Sequence, residues 1–178
     1  VAAFTILGFV VYGYSMVCIG FGQGISPIVS ICWGAKEKET ATKIRSITNR
    51  ILLAIGTLTA LSFFIAGKRY AEIFGCSNSI ADMVATGFRI YAITFLAMGY
   101  DVTGSMYFTS CGDAKSSAII SSLRGIVLLL AFILIFPAIF GMNGVWMASP
   151  FAETLTAIVT FVLIRRQVRK NKEEENGR

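Results

Sequence analysis

The first 35 residues of this chain contain no charged side chain, and the run ends abruptly in the charged sequence KEKE at 36–39. A membrane hydrocarbon core about 30 Å thick is crossed by about 20 helical residues, so this run predicts a membrane span. It starts at Val1 without a charged segment before it or a small-residue cleavage site, which is not the pattern of a signal peptide. The absence of a starting Met predicts that further residues precede Val1.

The composition places the whole chain in the same class. Hydrophobic residues make up 55% and charged residues 15% of it, whereas soluble domains carry about 25% charged residues. The net charge of +6 comes from basic residues that flank apolar runs, so it does not indicate nucleic-acid binding. With no His and no HExxH or GxSxG motif, the sequence predicts neither an enzyme nor a cofactor.

Polar segments separate five apolar stretches, which we predict to be transmembrane helices at about 3–33, 47–67, 86–111, 117–140 and 143–165. The fold class is therefore an all-α, polytopic membrane helix bundle over residues 1–166, followed by a charged, disordered tail at 167–178. The first stretch reads as one long helix, bent near the glycines at 20–24 and Pro27.

The same polar segments predict the connections. Residues 36–50 and 68–82 are interpreted as polar connectors, and Pro137 with the GMNG cluster at 141–144 as the last turn. Most Lys and Arg residues fall in the first connector, near Lys115 and in the tail. Because cytoplasmic loops are rich in Lys and Arg, the carboxyl terminus is predicted to be cytoplasmic in a multi-pass plasma membrane protein, with a bacterial cytoplasmic membrane favoured.

Two acidic residues lie within predicted spans. Asp101 is near the middle of the third span, and Glu153 lies well inside the last one. An ionisable group at that depth costs at least about 2.5 kcal/mol, so it normally faces a polar cavity on an ion or substrate path. The alternative is a buried acid held neutral by hydrogen bonds from Tyr100, Thr103 or Ser105, or from Arg124. Arg124 is close enough to a span end to extend its charge to the interface.

Two uncharged residues complete the candidate site. Gln23, at the predicted bend, is a candidate cavity-lining hydrogen bonder, with helix–helix hydrogen bonding as the equal alternative. Tyr100 can line a drug cavity through aromatic and cation–π contacts, although packing is the more frequent role of such residues. Gly20 and Gly24 indicate close helix packing. The four cysteines have no CxxC spacing and indicate neither a metal site nor a disulfide.

Several segments, taken in order, resemble MATE transporters, the multidrug and toxic compound extrusion family. Residues 22–30 (GQGISPIVS) with 33–36 (WGAK) resemble the second helix of a lobe, and 107–108 (YF) with 112–115 (GDAK) resemble the exit of the fourth helix. Residues 143–153 (NGVWMASPFAE) resemble the final helix, particularly in the MepA-like bacterial branch. The resemblance covers nearly the whole chain.

This resemblance implies helices 8–12 of a twelve-helix transporter with two lobes, so the amino-terminal lobe and helix seven would be the missing partners in the same polypeptide. Family members export small organic cations through the lipid bilayer in exchange for sodium ions or protons. The sodium-coupled branch uses an acid on helix ten, and Asp101 lies on the matching helix, which makes Asp101 a candidate sodium ligand. In other branches the coupling Asp lies on the other lobe.

Two other functions remain open from the sequence. A lipid-linked oligosaccharide flippase of the wider superfamily would share the helix plan, but it usually needs cationic residues in its central cavity, and only Arg124 comes near. A non-transporting membrane scaffold, or a subunit that completes itself by oligomerising, would not depend on Asp101 or Glu153.

Overall fold

The computed structural model describes residues 2–73 and 78–176, and every element in this part of the chain is helical. The elements are α1 (Ala2–Gly34), α2 (Lys38–Ile73), α3 (Asn78–Ser110), α4 (Ala114–Ser122), a π-helical turn (Leu123–Val127), α5 (Leu128–Phe140) and α6 (Met142–Asn176). The π-helical turn joins α4 to α5 without a break. The described chain therefore forms five helical rods, and the predicted all-α class is confirmed.

Four of these rods contain stretches long and apolar enough to cross a membrane, namely Leu7–Gly34, Lys38–Gly67, Ala114–Phe140 and Asn143–Asn171. The remaining rod, α3, is the central one, since it contacts α1, α2, α4 and α6. Its buried polar residues include Thr94, Asp101 and Thr103. Because neighbouring helices cover most of α3, it can carry polar side chains that a lipid-facing helix could not.

Two turns of the same design close one end of the bundle. After α1, the amide of Lys36 donates to Trp33 O at 3.1 Å and that of Glu37 to Cys32 O at 2.9 Å. After α3, Gly112 and Asp113 repeat this pattern. Lys36 and Gly112 have φ angles of 64° and 77°, as a helix cap of this type requires. We call this end, with the carboxyl end of α6, the basic end.

The polar connectors are much shorter than the sequence predicted. Within residues 36–50 the chain is already helical from Lys38, because Ala41, Arg45 and Thr48 are buried at helical spacing. Within residues 68–82, α2 continues to Ile73 and α3 begins at Asn78. Residues 74–77, including Cys76, lie outside the described part of the chain.

The prediction of a disordered tail at 167–178 is wrong for the described residues, since α6 continues to Asn176. An ion pair between Arg169 and Glu173, one helical turn apart and 3.0 Å long, supports this extension. The hydrophobic pattern ends with the membrane span, and sequence hydropathy therefore could not locate the end of the helix.

The last turn is tighter than predicted. Pro137 lies inside α5, and Gly141 alone separates α5 from α6, with a φ angle of 58°. Gly144 lies in the first turn of α6 against the backbone carbonyl of Phe136, where a Cβ atom would collide. The GMNG cluster therefore supplies one turn residue and one close-packing residue.

Aromatic side chains fill the half of the bundle opposite the basic end. The rings of Phe63 and Phe88 stack with centroids 4.4 Å apart, and Trp146 of α6 packs against Gly87 of α3. In α1 the close helix contact is made by Gly22, where a Cβ atom would lie 2.8 Å from Met106 Cγ. The prediction for Gly20 and Gly24 is wrong within the described residues, because nothing lies within 4 Å of their Cβ positions.

Candidate functional site

Asp101 of α3 is completely buried in the middle of the bundle. It lies nine residues before Ser110, the end of α3, which corresponds to a depth of about 14 Å along the helix. Thr160 of α6 donates a hydrogen bond of 2.8 Å from Oγ1 to Asp101 Oδ1. The second oxygen, Oδ2, is buried and receives no hydrogen bond from any residue that the structure describes. One oxygen of this carboxylate is therefore left without a hydrogen-bond donor in the described chain.

Glu153 of α6 forms the second half of the site. Its side chain is 9% exposed, and it accepts two hydrogen bonds from Arg124 Nε, 2.8 Å to Oε1 and 3.1 Å to Oε2. Its carboxyl group also lies beside that of Asp101. We call Asp101 and Glu153 the acid pair. With Arg124, the group contains two acids and one base.

The π-helical turn explains how Arg124 reaches this position. Arg124 belongs to the segment Leu123–Val127, which widens the helix between α4 and α5. A π-helical turn inserts one extra residue into a helix and so changes the direction of the side chains around it, and such turns are frequent at functional sites. Here Arg124 is turned towards α6, where it makes an ion pair with Glu153.

Close packing of α3 on α6 brings the acid pair together. A Cβ atom at Gly104 would collide with the methyl group of Thr160, so the two helix backbones approach closely at this point. Glu153, Thr156 and Thr160 are all buried and recur at helical spacing on one face of α6. Small residues on α3 and this polar face of α6 therefore position the site.

The structure brings two of the four predicted site residues together. Asp101 and Glu153 form the acid pair, whereas Gln23 is exposed on α1 and Tyr100 faces a separate cavity near Arg45. The interpretation of Arg124 as a residue that extends to the membrane interface is wrong, because its guanidinium is held by Glu153. Whether any of these residues binds an ion or a substrate remains a prediction.

Thr160 was missed in the sequence, and Arg124, weighed there as a hydrogen-bond partner of a buried acid, was assigned to the membrane interface instead. The recurrence of Glu153, Thr156 and Thr160 on one helical face was a usable signal for Thr160. A π-helical turn has no comparable pattern in a single sequence. Among the described residues, no group of three or more His, Cys, Asp or Glu side chains forms a metal-binding cluster.

Comparison with known proteins identifies the family. The family model MatE matches residues 1–135, most of this chain. The chain belongs to the MatE family. A probable multidrug resistance protein of Bacillus subtilis, YoeA, is 26% identical over 161 residues, which cover 86% of this chain and 34% of that protein. The multidrug export protein MepA of Staphylococcus aureus is 20% identical over 154 residues, 84% of this chain and 33% of MepA.

Solved MATE structures have the same fold. A crystal structure of MATE in the bent conformation superposes with a TM-score of 0.88 at 19% identity and covers 98% of this chain and 39% of that one. The MATE multidrug transporter DinF-BH, solved as a complex, gives a TM-score of 0.81 at 24% identity, over 92% of this chain and 36% of DinF-BH. This MatE chain thus spans about a third of the length of its curated relatives, and the resemblance found in the sequence is confirmed.

Proposed function

We propose that this chain forms part of the carboxyl-terminal lobe of an antiporter that exports organic cations in exchange for sodium ions or protons. The observation that carries the proposal is the acid pair, two carboxyl groups buried side by side in the middle of a membrane bundle. Intramembrane acids are costly and normally mark ion or substrate paths. The membership of a multidrug efflux family supports the same conclusion.

The charges of the site suit a single exchangeable cation. With both acids ionised and Arg124 protonated, the buried group carries one net negative charge. Asp101 Oδ2 has no hydrogen-bond donor in the described part of the chain, and so this oxygen is the position where a proton or sodium ion would bind. The atoms nearby that could coordinate a cation are carboxylate and hydroxyl oxygens, which suit a hard cation such as sodium.

The site can exist in two states, with Glu153 paired either with Arg124 or with a bound cation. In the structure its guanidinium neutralises Glu153. A cation that binds between the two carboxylates would weaken this ion pair by competing with Arg124 for Glu153. Binding at the acid pair would therefore change the contact between α6 and the π-helical turn, and alternating access requires that ion binding alter helix contacts around a site near the midplane.

The alternative functions are less well supported by the site. A flippase of the same superfamily needs an unpaired cationic group in its central cavity, but Arg124 is paired with Glu153. A scaffold protein has no use for two buried carboxylates, which cost free energy to insert. The scaffold alternative predicts that the acid pair can be neutralised without loss of function.

The orientation of the helix bundle in the membrane is part of the proposal. The turns at 35–37 and 111–113 and the carboxyl end of α6 all lie at the basic end. Most of the Lys and Arg residues fall in or next to these regions, within 36–50, at 115 and from 165 onward. Since basic loops remain in the cytoplasm, we place this end inside the cell.

The test is efflux by the full-length transporter that contains this chain, in inverted vesicles with ethidium as the fluorescent cation. Asp101→Asn keeps the shape of the side chain and removes its charge, so we expect normal membrane insertion and loss of both sodium-driven and proton-driven efflux. Glu153→Gln should reduce efflux less. Asp113→Asn, the same change at a turn outside the membrane, is the matched control and should transport normally. Parental activity of Asp101→Asn over a range of pH and sodium concentrations would contradict the proposal.

A further inference from the structure

A cavity of about 1140 Å³ opens at the basic end between α2, α3 and α6. It is separate from the acid pair and is lined from α3 by Tyr100. Its basic lining residues are Arg45, Arg165, Arg166, Arg169 and Lys170, and its only acidic lining residue among those described is Glu173. The cavity is therefore strongly positive, which indicates an anionic ligand.

Arg45 marks the position where an anion would bind. Its side chain lines the cavity although the residue is only 9% exposed. The guanidinium lies over the ring of Tyr107, 5.6 Å from the centroid, and its Nε is buried without a hydrogen-bond partner in the described chain. A buried donor without a partner costs about 1–3 kcal/mol. An anion in the cavity would remove that cost.

The positive charge that α6 brings to the cavity is largely uncompensated by described acidic residues. Glu173 already makes an ion pair with Arg169, and Arg165 stacks on the ring of Phe161 with 4.4 Å between its guanidinium carbon and the centroid. Arg166 and Lys170 are exposed and make no ion pair with a described carboxylate. They are free to contact an anion held by Arg45.

The position and walls of the cavity favour a lipid. Arg45 lies seven residues into α2, about 10 Å along the helix from its end, so the cavity lies at one end of the apolar stretch Lys38–Gly67. On the membrane side, Phe161 and Val162 line the cavity and are 44% and 42% exposed. A free phosphate ion would use the basic residues alone, whereas a phospholipid would also place an acyl chain along these apolar side chains.

We propose that this cavity binds the phosphate headgroup of an anionic phospholipid. Arg45 is the buried phosphate ligand, Arg166 and Lys170 contact the outer oxygens, and the acyl chain lies against Phe161 and Val162. Basic pockets between membrane helices are known to select such headgroups. This site is independent of the acid pair and of the ion that couples transport.

The experiment measures the melting temperature of the purified full-length transporter in detergent during titration with phosphatidylglycerol. A ligand that binds only the folded state raises the melting temperature, because at a free concentration c it stabilises that state by RT ln(1 + c/Kd). We expect an increase with phosphatidylglycerol and none with zwitterionic phosphatidylethanolamine. Arg45→Gln should weaken phosphatidylglycerol binding at least about tenfold, the loss of one charged hydrogen-bonding group. Lys43→Gln, which changes an exposed residue two positions away on α2, is the matched control and should bind normally.

A second variant and a phosphate control keep the proposal testable if Arg45→Gln fails to fold. If Arg45→Gln does not fold, the exposed double variant Arg166→Gln/Lys170→Gln should fold and still lose several-fold in affinity. Inorganic phosphate at about 10 mM should not reproduce the stabilisation, because it lacks the acyl chain. Unchanged lipid binding by both variants, or full stabilisation by inorganic phosphate, would overturn the assignment. Both results are independent of efflux, so the lipid site and the proposed transport function can fail separately.

Discussion

Asp101 and Thr160 join the central helix to the last helix through a side-chain hydrogen bond of 2.8 Å in the middle of the bundle. Both residues are fully buried. The bond satisfies one oxygen of Asp101 and leaves the other open, so Thr160 orients the carboxylate as well as stabilising it.

Thr160→Val should therefore impair coupling without changing the volume of the site. Removal of a hydrogen bond to a charged group costs about 1.5–3 kcal/mol, and we expect at least about a tenfold change in the sodium concentration or proton concentration that half-saturates efflux. Thr156→Val is the matched control, because Thr156 is equally buried on the same helix face but donates only to Ala152 O of its own helix. Equal behaviour of the two variants would contradict an orienting role for Thr160.

The ion pair between Arg124 and Glu153 predicts a reciprocal effect on stability. Either single change, Arg124→Gln or Glu153→Gln, leaves a charge without its partner in a largely buried place, and we expect a loss of about 3 kcal/mol in the free energy of unfolding. The double variant should recover most of this loss. Denaturant unfolding in detergent provides the measurement. Arg169→Gln breaks an exposed pair with Glu173 and should have almost no effect. Additive losses in the double variant would show that the pair is not coupled.

The close contact at Gly104 predicts that a small added group will separate α3 from α6. In Gly104→Ala the new methyl group would collide with Thr160, so we expect reduced thermal stability and reduced efflux together. Overpacking of this kind typically costs about 1–3 kcal/mol. Gly20→Ala is the comparison, since the same group at that position meets nothing within 4 Å in the described chain. A stable, active Gly104→Ala variant would mean that the interface can shift.

Asp113 provides a pH-dependent prediction outside the membrane. Its side chain caps α4 by accepting bonds from Ser116 N at 3.1 Å and Ser116 Oγ at 2.7 Å. These bonds favour the charged form and hold the pKa of Asp113 below its ordinary value. Its contribution to stability is therefore fully present above the unfolded pKa, about 3.9, and is lost as the pH falls through the lower folded pKa.

Asp113→Ala should consequently cost about 1 kcal/mol at neutral pH and flatten the stability profile at acidic pH. Asp113→Asn should keep most of the cap, because Asn is also a good N-cap residue, while losing the pH dependence. Thermal unfolding between about pH 3 and pH 7 separates the three proteins. An Asp113→Ala protein as stable as the parent at neutral pH would show that the cap does not stabilise α4.

Hydropathy was sufficient to predict the fold class and to find the two acids. Lipid requires uninterrupted apolar helices, so a charged residue within one is conspicuous in the sequence. It was not sufficient for the interfacial ends of the helices, because residues such as Arg45 and Glu173 continue a helix without continuing its hydrophobic pattern. The pairing of Glu153 with Arg124 depends on a π-helical turn and on the approach of α6, which are tertiary properties. Asp101 was identified by its depth, but its hydrogen-bond partner was identified only from the packed helices.

The single residue between α5 and α6 has a consequence for biosynthesis. With Gly141 as the only linker and Gly144 against the Phe136 carbonyl, neither helix can be inverted in the bilayer while the other stays in place. The two helices therefore form one tight hairpin, and we expect the translocation machinery to insert them together. In the proposed orientation, the basic residues that follow Ile164 would stay on the cytoplasmic side and fix the direction of that hairpin.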